Sequence, residues 1–198
     1  APPEADAAHP AFSNLFIETE FNLAENSLIA KRRPRGENDA PVWAIHTVGT
    51  DGETIGAVQY ETDRARFLGR GHDTREPLAI VEDRPLSNTV GAVLDPIFSL
   101  RRCLRIKPHE TVRISFSTSV ANSYEEALRL ADKYHDLNIF EREAAMAWTH
   151  SQVEMRHLNI EPESAYLYQR LAAHILYSDN SLRSPEKMLA LNSKPQSD

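Results

Sequence analysis

Cysteine is almost absent from this sequence, since its 198 residues include only Cys103. One thiol excludes an internal disulfide framework and a cysteine metal cluster, and it favours a reducing compartment. Long apolar runs are also missing, because no stretch approaches the roughly 20 apolar residues of a membrane-spanning helix. The opening residues, APPEADAAHP, lack the basic start and apolar stretch of a signal peptide. We therefore expect no direct membrane insertion and a cytoplasmic location.

Positive charge is scarce as well. The chain has 22 Lys and Arg against 29 Asp and Glu, which gives a net charge of -7. Proteins that bind nucleic acid use a surplus of basic residues to neutralise phosphates, so we expect no nucleic-acid partner. The short basic run from Lys31 to Arg35 has no interleaved aromatic residue and lies beside GENDAP. It is interpreted as a solvated strand end and loop.

The common signatures of catalysis and metal binding are missing too. Gly69-Arg70-Gly71 lacks the third glycine of a dinucleotide-binding fingerprint and the lysine of a P-loop. No HExxH or G-x-S-x-G motif occurs, and His150 and His157 lie about 10.5 Å apart along a predicted helix, too far to share an ion. Cys103 lies in an alternating stretch that predicts a buried, inert thiol. The residues thus indicate no cofactor, no metal and no catalytic centre.

The apolar residues from about Phe12 to Ala121 alternate with a period of two, which predicts β-strands. TVRISFSTSV is the clearest stretch: we expect Val112, Ile114, Phe116, Thr118 and Val120 to face a core, and Arg113 and the serines to face solvent. VWAIHTVG and IGAVQYET flank TDGE, which predicts a hairpin with Asp51 and Gly52 at its tip. About six strands with short connections favour an antiparallel β-sandwich over residues 1–121.

After Ala121 the pattern becomes helical, over residues 122–198. Ser123 and Glu126 form a predicted capping box, followed by an apolar stripe of Ala127, Leu130, Ala131 and Tyr134. Asn138 is the predicted cap of a second helix and Pro162 the first turn of a third, and SPEKMLAL predicts a fourth. The predicted fold is therefore mainly β: an antiparallel sandwich followed by a helical segment.

The stretch ETDRARFLGRG, residues 61–71, concentrates three arginines in an acidic chain. Glycines at positions 69 and 71 suit a turn with positive φ. The guanidinium groups of Arg64, Arg66 and Arg70 suit carboxylates, phosphates or sugar hydroxyls. They can equally pair with Asp63, Glu61 and Asp73 in an ordinary charged loop. The residues alone leave both interpretations open.

Several motifs in order carry a resemblance to a known family. HPAFSNLFIETEF, YETDRARFLGRG, LSNTVGAVLDPIFSLRR, ALADKYHD and AWTHSQVEMRHLNI resemble the glycoside hydrolase family 94 region of bacterial cyclic β-1,2-glucan synthases. That family also contains cellobiose, cellodextrin and chitobiose phosphorylases. The resemblance runs from about His9 to Asn192, nearly the whole chain.

The resemblance implies a fold and a chemistry. Members of the family begin with an antiparallel β-super-sandwich, continue through a helical linker and end in an (α/α)6 barrel with the active site. Residues 1–121 would be part of the super-sandwich and residues 122–198 the linker, leading towards a barrel absent from this chain. In the barrel an Asp acts as general acid while inorganic phosphate, the co-substrate, attacks the anomeric carbon with inversion. SKPQSD departs from the family pattern, so no catalytic residue is carried over. We expect a piece of a longer protein, inactive alone, whose parent is anchored in the bacterial inner membrane.

The resemblance also nominates site residues. It implies that Asp63, Arg64, Phe67 and Arg70 lie near a junction with the barrel and a partner subunit. The stretch from Leu86 to Pro96 is a second candidate for this junction, with Asn88, Thr89 and Asp95 as its polar side chains. These seven residues are the predicted substrate-binding set, with a structural role favoured over direct sugar contact.

The expected partners are a β-glucan oligosaccharide and the remaining domains of the parent chain. Half of a super-sandwich leaves unpaired strand edges and an uncovered apolar face, so we also expect self-association. The alternative hypothesis is a free-standing carbohydrate-binding or protein-interaction module without enzymatic activity.

Overall fold

The computed structural model describes residues 9–34, 36, 40–176 and 184–191. The chain divides into two compact units, Ala1–Glu143 and Ala144–Asp198. The first unit contains every β-strand of the part of the chain that the structure describes. The predicted domain boundary after residue 121 stays a prediction.

Within the described residues, seven strands form two antiparallel sheets. The strands are β1 (Ile17–Asn22), β2 (Ser27–Arg32), β3 (Val42–Thr50), β4 (Glu53–Asp63), β5 (Gly91–Ala92), β6 (Pro96–Arg105) and β7 (Ile114–Ala121). The larger sheet has the order β5-β1-β2-β3-β7, and the smaller sheet pairs β4 with β6. In the described ranges, the short helix α1 (Pro10–Asn14) precedes β1, and two further short helices, α2 (Arg64–Leu68) and α3 (Leu78–Val81), lie between β4 and β5.

The smaller sheet covers one face of the larger one. The ring of Phe21 in β1 stacks on Tyr60 in β4 with a centroid distance of 4.0 Å. Two hydroxyls of the same strands, Thr19 Oγ1 and Thr62 Oγ1, lie 2.8 Å apart. The predicted antiparallel sandwich followed by helices is confirmed.

Helix α4 (Tyr124–His135) covers the opposite face of the larger sheet. Its predicted capping box is confirmed, because Ser123 Oγ accepts a hydrogen bond of 3.1 Å from the Glu126 N–H. The small side chains of α4 allow the helix to lie close to the sheet, and the shared core is fully buried: Ile29, Ile45, Ala121, Ala127 and Ala131.

Gly49 marks the closest approach of α4 to the sheet. A Cβ atom at this position would lie 2.6 Å from the carbonyl oxygen of His135, the last residue of α4. Only glycine leaves room for the helix end over β3, so the sequence of β3 sets how closely the two layers pack.

The predicted hairpin at Asp51 and Gly52 is wrong. Both edges of β3 are occupied, by β2 and β7, so the chain leaves the larger sheet at this turn and β4 enters the smaller sheet. The turn is fixed to the chain entering β7, because the Asp51 carboxylate accepts bonds of 2.7 and 2.8 Å from the Arg113 N–H and Nε.

The prediction for β7 was right about alternation and wrong about the faces. Ile114, Phe116 and Val120 are 42%, 48% and 67% exposed, whereas Ser115 is 5% exposed. The serines and Ala121 form the face against α4, since small side chains are what a closely packed helix accepts. The predicted burial of Cys103 is also wrong, because the thiol is exposed on β6.

The remaining helices are α5 (Leu137–His157), α6 (Pro162–Leu176) and α7 (Glu186–Leu189). The start of α5 is capped by Asp136, whose carboxylate accepts a 2.8 Å bond from the Asn138 N–H, so the predicted cap at Asn138 lies two residues late. Pro162 begins α6 as predicted. None of the helices in the described ranges is both long and apolar enough to cross a membrane.

Candidate functional site

The seven predicted site residues lie on two segments. We call residues 63–71 the first loop and residues 86–96 the second loop. The first loop follows directly from the end of β4, and the second loop runs beside the same end of that strand. The structure therefore brings together two stretches that are separate in the sequence.

The first loop is organised around the short helix α2. Asp63 caps this helix, since its Oδ1 accepts a 2.9 Å bond from the Ala65 N–H, and its Oδ2 lies 3.7 Å from Arg66 Nε. Gly69 ends the helix with φ 79°, and a Cβ here would lie 2.5 Å from the Cβ of Leu78. The predicted turn role of Gly69 is confirmed.

Hydrogen bonds that involve both backbone and side-chain groups hold the second loop beside β4. Asn88 makes two of them with Tyr60: its N–H donates to the Tyr60 carbonyl and its Oδ1 accepts from the Tyr60 N–H, both at 2.9 Å. Thr62 Oγ1 donates to the Thr89 carbonyl at 2.9 Å, and the Leu86 N–H donates to Gln59 Oε1 at 3.1 Å. Residues near the end of β4 thus fix residues 86–89, the part of the second loop that precedes β5.

Arg64 and Asp95 join the two loops directly. Arg64 Nη1 lies 3.3 Å from Asp95 Oδ2, and the Arg64 N–H donates to the Asp95 carbonyl at 3.1 Å. Both side chains are about half exposed, so the ion pair contributes at most about 1 kcal/mol. The ion pair mainly holds the second loop in a fixed position beside the first loop.

A buried carboxylate lies beneath the junction. Glu61 is 2% exposed, and its Oε1 accepts bonds of 3.0 and 2.9 Å from the N–H groups of Thr62 and Asp63. Its Oε2 accepts a short bond from Ser87 Oγ in the second loop. Three donors therefore satisfy this charge, as a buried carboxylate requires.

A cleft of about 330 Å³ opens beside Glu61. Arg101 of β6 supports its wall by donating to the backbone carbonyls of Arg84, at 2.6 Å, and Ala79. The wall also carries an ion pair of 2.8 Å between Glu82 and Arg84. Apolar side chains predominate in the lining, together with two basic and two acidic side chains; the lining is formed by Glu61, Ala65, Arg66, Phe67, Gly69, Leu78, Ala79, Glu82, Arg84, Pro85, Leu86 and Ser87.

The predicted site residues divide into three groups. Five of them hold the two loops to β4 and to each other: Asp63, Arg64, Asn88, Thr89 and Asp95. Phe67 lines the cleft. Arg70 is exposed and makes no hydrogen bond or ion pair with any residue that the structure describes. Substrate binding by these residues stays a prediction.

The sequence did not mark Glu61 as a site residue. It was considered only as a partner for the loop arginines, because its burial comes from a segment 26 residues further along the chain. Ser87 and Arg84 were missed for the same reason. Within the described ranges, no group of three or more His, Cys, Asp or Glu side chains is placed to hold a metal ion.

A family model and a known relative match this chain. The sequence model of the family described as "Glycosyl hydrolase 94, supersandwich domain" matches residues 1–137. The chain is also 36% identical over 181 residues to "Cyclic beta-(1,2)-glucan synthase NdvB" of Rhizobium meliloti (strain 1021). The aligned region covers 91% of this chain and 6% of that relative, so this chain spans a small part of the relative's length.

Proposed function

Since the chain belongs to the glycosyl hydrolase 94 supersandwich family, we propose that it is a carbohydrate-associated, non-catalytic part of a cyclic β-1,2-glucan synthase. Its relation to a cyclic β-(1,2)-glucan synthase rests on the identity across nearly the whole chain. In this proposal the sandwich holds the two loops as a rigid junction. A separate barrel region then shortens β-1,2-glucan by inverting phosphorolysis, with inorganic phosphate as co-substrate.

The state of the carboxylates in the cleft supports a non-catalytic role. An inverting enzyme needs a carboxyl group that can donate a proton to the glycosidic oxygen. Glu61 is buried and has both oxygens engaged by donors of its own loops. Glu82 forms an ion pair with Arg84. Both cleft carboxylates are therefore engaged by other groups of the protein.

The internal bonds of the loops support the structural role of the predicted site residues. Asp63 is used as a helix cap, Arg64 pairs with Asp95, and the Asn88 amide pairs with the β4 backbone. A sugar hydroxyl would have to displace these partners, and each hydrogen bond lost in the exchange offsets the one gained. The loops are therefore better suited to shape a junction than to hold a ligand.

We also infer a cytoplasmic location for this region of a membrane-anchored synthase. Cys103 is an exposed free thiol, and such a thiol persists in a reducing compartment.

A binding titration tests the proposal. Purified chain is titrated with β-1,2-glucan oligosaccharide by calorimetry, alongside Arg64→Ala and Arg70→Ala. Arg129→Ala, an exposed position on α4, serves as the control. We expect binding that is weak at most and unchanged in all three variants. Micromolar affinity that is lost in both loop variants and kept in Arg129→Ala would contradict the structural role.

The cleft supports a second candidate function, a free-standing sugar-binding module. Phe67 offers an aromatic surface, and Arg66 and Arg84 offer guanidinium groups suited to sugar hydroxyls. For this module, Phe67→Ala and Arg84→Ala would abolish binding while Arg70→Ala, outside the cleft lining, would not. The same titration, extended to Phe67→Ala and Arg84→Ala, thus distinguishes the two candidates.

A further inference from the structure

A groove of about 370 Å³ lies on the larger sheet, separate from the cleft beside Glu61. Strands β1, β2, β3 and β5 form this groove, and the side chains that shape it are those of Glu18, Glu20, Ile29, Lys31, Trp43 and Ala92. We call this surface the sheet groove. None of the seven predicted site residues lies in its lining.

The register of the strands places these side chains on one face of the sheet. Glu18 lies opposite Lys31 and Lys31 lies opposite Trp43, so these three form a row across β1, β2 and β3. Glu20 lies opposite Ile29 in the neighbouring row of the same face. Ile29 also belongs to the core beneath α4, so the sheet groove lies on the α4 side of the sheet.

Helix α4 leaves this part of the face open to solvent. The helix packs on β3 and β7, whereas β1 and β5 lie at the other end of the strand order. Ile29 is 0% exposed, but Glu20 is exposed and the side chain of Glu18 is 46% exposed. The sheet groove thus begins where the buried core ends, and its polar side chains are accessible with α4 in place.

Two charged side chains of the sheet groove keep unused hydrogen-bonding capacity. Glu18 is paired with Arg33, whose Nε lies 3.3 Å from the Glu18 Oε1. Lys31 Nζ lies 5.0 Å from the centroid of the Trp43 ring, a cation–π contact that holds the ammonium over the groove. In the part of the chain that the structure describes, neither Glu20 nor Lys31 has an ion-pair partner. The groove therefore offers a carboxylate acceptor and an ammonium donor beside an indole ring.

The balance of these charges favours a neutral ligand that carries hydroxyl groups. The charges of Glu18 and Arg33 cancel, and so do those of Glu20 and Lys31, so the groove as a whole matches neither a cation nor an anion. A further layer of protein with an apolar face would bury Glu20 and Lys31 without partners, which is costly. A sugar hydroxyl donates to a carboxylate and accepts from an ammonium, so one class of ligand satisfies both side chains.

We propose that the sheet groove binds a neutral oligosaccharide, with Glu20 accepting hydrogen bonds from its hydroxyls and Lys31 donating to them beside Trp43. The flexible stem of Lys31 allows its ammonium to leave the ring for a hydroxyl, and the ring then offers an apolar surface to the sugar. The choice of β-1,2-glucan as the sugar rests on the proposed function. The chain thus holds glucan on its larger sheet, while the two loops keep their structural role.

Fluorescence of Trp43 tests binding at the sheet groove directly. The sequence has two tryptophans, so Trp43 is the one that remains in a Trp148→Phe background. We expect β-1,2-glucan oligosaccharide to change its emission saturably and with weak affinity, since only two charged side chains are free to contact the sugar. Calorimetry on the same samples measures the affinity without depending on the ring.

Three variants locate the site. Glu20→Ala and Lys31→Ala should each weaken binding about tenfold or more, because each removes a hydrogen bond to a charged group. Asp132→Ala, at an exposed acidic position on α4, is the matched control and should leave the affinity unchanged. Circular dichroism checks that each variant keeps the fold.

Several results would overturn the proposal. Emission that glucan does not change, or binding that neither groove variant weakens, would show that the sheet groove holds no glucan. Binding lost in Phe67→Ala instead would place the sugar in the cleft. Emission changed by an oligolysine peptide but not by glucan would assign the groove to a cationic protein segment. The proposed function fails on a different result, micromolar binding that Arg64→Ala and Arg70→Ala abolish.

Discussion

Replacing Glu61 by alanine should loosen the junction between the two loops. The carboxylate accepts bonds from the Thr62 and Asp63 N–H groups and from the Ser87 hydroxyl, and Thr62 is itself 0% exposed. Hydrogen bonds to a charged group contribute about 1.5–3 kcal/mol each. Water entering the open cleft can hydrate the Asp63 N–H and Ser87, but not the buried Thr62 N–H. We therefore expect Glu61→Ala to lower the free energy of unfolding by about 3 kcal/mol.

The assay needs a probe confined to the first compact unit. The chain has two tryptophans, and Trp43 lies on β3 with its ring 5.1 Å from that of Tyr124 in α4. In a Trp148→Phe background, the fluorescence of Trp43 reports the unfolding of this unit in urea. The transition midpoint should fall while the slope stays the same. The melting temperature should fall by about 6–12 °C, at 2–4 °C per kcal/mol for a chain of this size.

Two controls separate the hydrogen bonds from a general effect of the charge. Glu61→Gln keeps an oxygen that can accept from the two N–H groups, and should lower the free energy of unfolding by only about 1 kcal/mol. Glu20→Ala, at an exposed position in β1, should change it by less than about 0.5 kcal/mol. If Glu61→Ala proves as harmless as Glu20→Ala, Glu61 does not hold the junction and the reasoning is refuted.

Three further predictions concern the sheets. Burial lowers the pKa of His46 in the folded chain. Near and below the unfolded pKa of about 6.5, the unfolded chain therefore binds a proton at this imidazole more readily than the folded chain does. The free energy of unfolding should fall as the pH decreases through that region. His46→Phe should flatten this part of the urea-stability profile, and parallel profiles for the two proteins would contradict the assignment. Ile45→Ala, at 1% exposure beneath α4, should lower the free energy of unfolding by about 2–4 kcal/mol, whereas Ile80→Ala at 60% exposure should lower it by less than about 1. Gly49→Ala should push the end of α4 off β3 and lower the melting temperature; an unchanged melting temperature would show that the helix can shift at no cost.

Features encoded by neighbouring residues could be predicted from the sequence. The capping box of Ser123 and Glu126 lies within one helical turn, and Pro162 sets its own backbone angle at the start of α6. The alternation of β7 is equally local, because it reflects the period of a strand. These features need no knowledge of the rest of the fold.

Features that depend on a distant layer could not be predicted. Alternation shows that β7 has two kinds of face but not which face α4 covers, and Phe116 is exposed because α4 packs against the serines instead. The turn at Asp51 resembles a hairpin, yet β7 occupies the edge of β3 that β4 would need. Glu61 is buried by a loop that follows it much later in the chain.

The candidate site could be predicted from the sequence only in part. The motifs of the family nominated both loops for a junction with the barrel and a partner subunit, and that junction stays a prediction. The structure shows that the two loops contact each other through Arg64 and Asp95. The same motifs did not show that most of the polar side chains are used within the junction itself. That information comes from hydrogen bonds across three segments of the chain.

Phosphorolysis by the purified chain is the most direct test of the non-catalytic role. The chain is incubated with β-1,2-glucan and inorganic phosphate, and released α-glucose 1-phosphate is measured, with Glu61→Gln and Glu82→Gln prepared in parallel. We predict no release above a blank without protein. Phosphate-dependent release that disappears in either variant would contradict the account, because it would make a carboxylate of the cleft the catalytic acid.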